Sequence, residues 1–487
     1  MQNKISSPGE IMKFICELEN RFSPQIWAWE DIDIWPVIRA NLYYELSIQA
    51  LESEWAGDSR FTKMKRVLRG LLSIKSPKYS QNDILLVSDG ISYVNQDGRL
   101  YEKFCDPVIE ILNEENRSWL KWNLAGELDG QWVHIPQKVN RYLDGVLIRS
   151  KFAPQKAFNN YLKISLTHFC EYLYIQAGFD WNVTSLERKL SGISRLVKWF
   201  KHQLEAIRPK MVLIVSYYSD RGMALIKACN DLGIHTADIQ HGMQGTYHAA
   251  YAGWNKISSR GYNTIPKSFL VWSDNEAFVI DQWAQKTGHR AIVIGNLFEK
   301  KWFSGNSVVQ EVDVCIERVL GSLRAGSTAL LTLQYGIEYG DKFWEFIRVS
   351  QKKFNWLIRL HPVMNTPGEK KRIIDKLDAQ GIENYELDNV SRFPLYGLLR
   401  HVNIHVTHSS STVIEARNFG VNSIVVDPFG AELFETEIEL GYVAFGAEID
   451  ELLESMQRLS VHKFTERQSI RSASSQGEIT EFLDSIL

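Results

Sequence analysis

Cysteine is scarce in this chain and follows no pattern. Cys16, Cys105, Cys170, Cys229 and Cys315 are the only five in 487 residues, and no two form a CxxC pair. The odd count argues against a disulfide framework and against a zinc knuckle, and a reducing cytoplasm suits such usage. Long apolar runs are also missing. Nothing approaches the roughly 18–20 consecutive apolar residues that a membrane-spanning helix needs. The opening residues, MQNKISSPGEIMKFICELEN, lack a basic stretch followed by an apolar one, so no signal peptide is expected there. Neither sign of charge dominates. The formal net charge of −3 leaves no global footprint for nucleic acid, and none is expected as a partner. The sequence has no DxD pair and no visible internal repeat. His401, His405 and His408 lie close together, but the first two fall on an expected helix end and an expected strand. They do not share a helix face, so no metal site and no cofactor is expected.

What is present is ample material for cores. Hydrophobic residues make up 45% and charged residues 23%, with 15 tryptophans. At roughly 100–200 residues per domain, the length implies two or three domains. Residues 1–82 read as a helical N-terminal segment. Ile32, Ile34, Trp35, Ile38, Leu42 and Leu46 recur at helical spacing, and Pro36 suits a first helical turn. DILLVSDG (83–90) is the first clear buried strand. Residues 100–210 read as mostly helical, and KMVLIVSYYSDRG then opens a strand–loop–helix unit that leads to IQHG. A second alternation follows, with STALLTLQYG, NWLIRLHP and the βαβ pattern VNIHVTHSSSTVIEARNFGVNSIVVD. The expected class is α/β: two Rossmann-like domains, 83–310 and 311–487, facing a cleft.

Ligands of open α/β sheets collect at the carboxyl ends of the strands. Several polar residues fall there. Ser409, Ser410 and Ser411 stand where a helix begins, the place where unpaired backbone N–H groups favour phosphate. One serine suffices as a cap, which leaves hydroxyls for a ligand. Arg359, His361 and Pro362 end the preceding strand, and Gln334 lies in the first turn of that half. Glu415, one turn into the helix, is either a partner for a ribose hydroxyl or an exposed carboxylate that favours the helix start. In the first half the candidate bases are Asp89 in SDG, Asp220 in YYSDRG and His241 in IQHG. The imidazole has the near-neutral intrinsic pKa a base needs. Asp89-Gly90 also reads as an ordinary turn, and Asp220 as a partner for Arg221.

The order QHG, RLHP, HSSST resembles that of GT-B glycosyltransferases of the bacterial capsule and lipopolysaccharide type. It is similar to the HP and Ser-Ser motifs of CMP-dependent sialyl- and Kdo transferases. It also resembles the histidine motifs of CDP-glycerol polyol-phosphate polymerases. The resemblance implies that His361, Pro362, Ser409, Ser410 and Ser411 hold the donor nucleotide. It implies transfer of Kdo or a related acid sugar from a CMP donor to a cell-surface glycan or lipid-linked glycan. A CDP-polyol phosphotransferase, a nucleotide-sugar 2-epimerase on the same scaffold and a non-catalytic scaffold of a polysaccharide assembly complex are the alternatives. The segment offers only Asp89 where the sialyltransferases carry paired carboxylates before a glycine. Finally, RFTKMKRVLRGLLSIKSPKYS (60–80) carries Arg60, Lys63, Lys65, Arg66, Arg69, Lys75 and Lys78 without an acid. It is either a solvated helix or a contact with the inner face of the cytoplasmic membrane.

Overall fold

The computed structural model describes residues 5–51, 80–96, 99–124, 138–139, 143, 145–146, 148, 154–303, 307–324, 326–461 and 475–487. The basic segment expected at the membrane face, 60–78, lies outside the described residues.

Helix Pro8–Phe22 starts on Ser7, whose hydroxyl accepts the Glu10 N–H, and Pro8 occupies the position where its missing donor costs nothing. A short antiparallel pair, β1 (Ala28–Trp29) and β2 (Ile32–Asp33), leads into helix Trp35–Ala50, with Pro36 in its first turn. These helices place Glu19 and Arg39 beside each other with no solvent exposure, Nε to Oε1 at 3.3 Å. The guanidinium donates to the carbonyls of Ala249, Ala252 and Gly253. Glu19 accepts from Trp35 Nε1 and from the Asn255 N–H.

The body consists of two parallel sheets. In the first run β3 (Ile84–Ser88), β6 (Trp119–Asn123), β7 (Lys138–Val139), β8 (Met211–Val215), β9 (His235–Ile239), β10 (Ser268–Val271) and β11 (Arg290–Val293). Their spatial order is β11-β10-β9-β8-β3-β6-β7. The second sheet holds β12 (Ser327–Thr332), β13 (Phe354–Arg359), β14 (Tyr385–Glu386), β15 (Ile404–Thr407), β16 (Asn422–Val425) and β17 (Val443–Phe445) in the order β14-β13-β12-β15-β16-β17. Both sheets begin at an inner strand, wind one way and then wind back. The reversals fall between β3 and β8 and between β12 and β15, where crevices open at the carboxyl ends. A hairpin, β4 (Tyr93–Gln96) and β5 (Arg99–Glu102), leaves the first sheet just after β3.

Strands covered on both faces read as continuous apolar runs. In β3, Leu85 and Val87 join one core while Ile84 and Leu86 join the other. β6 departs from the helical expectation for 100–210. Its central Lys121 interrupts the apolar run WLKWN, yet the side chain is buried in an ion pair with Asp106. The C-terminal helix Ser475–Asp484 returns to the first sheet. Its Ile479, Phe482 and Leu483 share a cluster with Ile84, Leu86 and Met211, and with Val413 and Val425 of the second half.

Removing one partner of a buried ion pair leaves an uncompensated charge. Glu19→Ala should therefore lower unfolding free energy by about 3–5 kcal/mol, read as a lower midpoint in urea with an unchanged slope.

Candidate active site

The carboxyl ends of the two sheets meet at a cavity of about 230 Å³. Gln334, Arg359, His361, Pro362, Ser410, Ser411 and Glu415 line it from the second half. Ile91, Tyr93, Val94 and Lys103 line it from the loop and hairpin after β3. Ser409 lies behind this wall. Its N–H donates to Gln334 Oε1 at 2.7 Å, and Gln334 Nε2 donates to its hydroxyl at 3.2 Å. The Gln334 amide thus brackets the ends of β12 and β15, which fixes its orientation.

The three serines divide their tasks. Ser409 closes the bracket to Gln334. Ser410 Oγ accepts the Thr412 N–H at 3.3 Å and donates to Thr412 Oγ1 at 3.0 Å. Ser411 occupies the N-cap of the seven-residue helix Thr412–Asn418, makes no side-chain capping bond and lines the cavity. Its hydroxyl is the one available to a ligand.

His361 caps the short 3₁₀ turn Pro362–Met364 through Nδ1, which accepts the Val363 N–H at 3.3 Å. In the neutral ring Nε2 then carries the proton and is the donor. Partial desolvation moves its pKa below the usual histidine value, so that neutral form persists at pH 7. Arg359 spends its guanidinium inside the protein, on the carbonyls of Val390 and Phe393. Burial pushes its pKa down to about 10, against the pull of Glu415. Glu415 is buried rather than exposed, and Oε1 accepts from Tyr396 Oη at 2.8 Å. Tyr396 in turn accepts from Asn296 Nδ2 at 3.0 Å. Beneath this network the carboxyl of Glu299 is pushed up to about 7 by burial, and Asn418 donates to it at 2.9 Å.

The first-half candidates occupy three different settings, and none lines the cavity itself. Asp89 closes a local turn, with Oδ1 accepting the Ile91 and Ser92 N–H groups and Oδ2 the Ser92 hydroxyl. Gly90 has φ 82, a left-handed value that suits glycine. Asp220 pairs with Lys189 at 3.1 Å, not with Arg221, and accepts from Asn41. His241 stacks on Tyr218 with ring centroids 5.9 Å apart, its Nε2 3.2 Å from Tyr218 Oη. Its Nδ1 is buried without a hydrogen-bond partner, and burial lowers its pKa. Gln240 holds this loop by donating to the Gly242 carbonyl at 2.9 Å. Gly242 itself faces the serine loop: a Cβ built there would stand 4.0 Å from Ser411 Oγ.

Lys103 escaped the sequence reading. It follows β5, so only the hairpin geometry brings it to the cavity. It makes no ion pair among the described residues, and its ammonium sits 5.2 Å from the Phe104 ring centroid. The three neighbouring histidines of the second half go separate ways. His401 bonds Asp313 at 2.8 Å, His408 meets Ser409 and Asp427, and His405 is buried between the Thr332 and Ser423 hydroxyls. Among the described residues no group of His, Cys, Asp and Glu side chains gathers at metal-binding spacing.

No family model matches the chain. No curated protein matches it in sequence. Solved structures do match in shape. The UDP-GlcNAc 2-epimerase from Neisseria meningitidis, bound to UDP-GlcNAc, superposes with a TM-score of 0.50 at 14% identity, over 82% of this chain and 99% of its own. The chain has the GT-B fold. A transferase from Siraitia grosvenorii in complex with UDP is also similar, with a TM-score of 0.47 at 11% identity, over 83% of this chain and 99% of its own.

Two measurements check the local assignments. Ser410→Ala removes a cap and should lower stability by about 0.5–2 kcal/mol, whereas Ser411→Ala should leave it within about 0.5 kcal/mol. The second concerns His405, whose pKa burial pushes down to about 3. Below the unfolded value near 6.5 the unfolded chain binds a proton that the native protein refuses, so stability falls with pH. His405→Asn should flatten the profile between about pH 6 and 4 by up to about 1.4 kcal/mol per pH unit.

Proposed function

We propose that this protein is a glycosyltransferase that moves a sugar from a nucleotide donor to a cell-surface glycan or glycolipid. The observation that carries the reading is the convergence of the His361 imidazole, the Ser411 hydroxyl and the Lys103 ammonium, the last without an ion pair among the described residues, on one cavity between facing carboxyl edges. Three donors of this kind suit a departing phosphate, whose developing charge they stabilise as the glycosidic bond breaks. The nucleotide sugar named with one structural neighbour, UDP-GlcNAc, agrees with the substrate class. The leading donor is a CMP-linked acid sugar, Kdo or a relative. That choice rests on the motif order QHG, RLHP, HSSST rather than on the cavity.

In this reading the acceptor approaches along the QHG loop, and His241 is the base. Its lowered pKa keeps the ring neutral and able to accept a proton, and its loop faces Ser411. Asp89 and Asp220 are weaker choices, because turn N–H groups and Lys189 already engage them. Glu415 keeps Oε2 for a hydroxyl of the nucleotide or sugar while Tyr396 fixes Oε1.

A thermal-shift panel of CMP, CDP, UDP and GDP tests the reading. The matching nucleotide should raise apparent stability by about 2.7 kcal/mol at 100 times its Kd. His361→Ala should then cost roughly 2–4 kcal/mol of transition-state stabilisation, read as a fall in kcat/KM. His241→Ala should depress turnover and spare nucleotide affinity. No shift with any nucleotide would sink the proposal. Turnover of a UDP-sugar without acceptor would replace transfer by epimerisation, and phosphorus retained in the product would replace it by polyol-phosphate transfer.

A further inference from the structure

A second cavity, of about 470 Å³, opens at the amino ends of β9, β10 and β11. It is therefore at the opposite edge of the first sheet from the cleft. His235 begins β9, Lys267 immediately precedes β10, and Arg290 begins β11 beside Thr287 and Gly288. No carboxylate lines this cavity. Neither Lys267 nor Arg290 makes an ion pair among the described residues. Two cations face one space with no carboxylate among its described lining residues, so an anion entering it is attracted by both.

The lining is organised. Arg290 Nε donates to Ser268 Oγ at 3.4 Å, and that hydroxyl lies 3.0 Å from His235 Nε2. The Lys267 ammonium lies over Gly288, 3.4 Å from where a Cβ would stand. A larger residue at 288 would occupy the space beside it. His289 is not part of the recognition, since Nδ1 bonds the Pro266 carbonyl at 2.7 Å and Nε2 accepts the Tyr262 N–H at 3.2 Å. Burial and the two cations push the His235 pKa down to about 4, and no acid offsets them.

We propose that this cavity is a second ligand site, separate from the cleft, which binds a phosphate-type oxyanion through Lys267 and Arg290. Its volume admits a phosphate monoester as readily as free phosphate. Lys267 and Arg290 supply the charge-assisted donors, Thr287 a hydroxyl, and Gly288 the room. This site is independent of the function proposed for the cleft.

Calorimetric titration of the full chain with inorganic phosphate, and in parallel with CMP, at constant ionic strength decides the matter. Four proteins are compared: wild type, K267M/R290M, G288L and the cleft variant H361A/S411A. Gly288 lies outside the left-handed region, so leucine there fills the cavity without removing charge. It remains informative should the double charge variant fail to fold. Phosphate affinity should persist in H361A/S411A and weaken at least about tenfold in K267M/R290M and in G288L. If CMP behaves as phosphate does across the four proteins, the occupant is a phosphate monoester. If only inorganic phosphate does so, the site takes the free ion. Phosphate binding that is undetectable in wild type, or unchanged in both K267M/R290M and G288L, would overturn the proposal. The cleft reading would stand or fall separately, on H361A/S411A and nucleotide.

Discussion

Arg39 has no contact with water, and its charge must be answered inside the protein. Glu19 answers part of it, and the carbonyls of Ala249, Ala252 and Gly253 answer the rest, while the guanidinium lies 4.0 Å from the Trp254 ring centroid. A buried pair of this kind adds little net stability, because desolvation offsets attraction. Its effect is on geometry. The segment it grips lies in the connection between β9 and β10 that QHG opens, so the N-terminal helices anchor that connection. Asp238 completes the clamp, accepting from the Tyr217 N–H and Tyr251 Oη.

The two walls of the cleft differ in how far their polar groups are already engaged. Its second-half wall is built from groups already committed to one another. The Gln334 amide is tied to Ser409, Arg359 to the 390–393 carbonyls and Glu415 Oε1 to Tyr396, which leaves Ser411, His361 and Glu415 Oε2 as polar groups to spare. The first-half wall is a two-stranded hairpin whose Lys103 ammonium lies 5.2 Å from the Phe104 ring centroid and makes no ion pair among the described residues.

The parallel sheets were legible in the sequence because strands buried on both faces must be apolar throughout, as ILLV of β3 and MVLIV of β8 are. The positions of HSSST and RLHP were legible for a related reason: polar residues that end such runs can only be loops at a sheet edge. β6 was not, because Lys121 breaks its run and the Asp106 that neutralises it comes from the preceding helix. Lys103 and the Asp220–Lys189 pair were hidden by the same kind of distance, since each depends on elements that meet only in three dimensions. Glu415 was misjudged in one of its two readings because a hydroxyl from Tyr396, on the helix before β15, makes burial tolerable.

The last helix carries a mechanical consequence. Ser475–Asp484 lies on the first sheet, with Arg117 bonded to Asp484, although the strands just before it belong to the second. Ile479, Phe482 and Leu483 of this helix lie in one buried cluster with strands of the first half and with Val413 and Val425 of the second. Pulling the halves apart would therefore uncover apolar surface that is now dry, at a cost that grows with the area exposed.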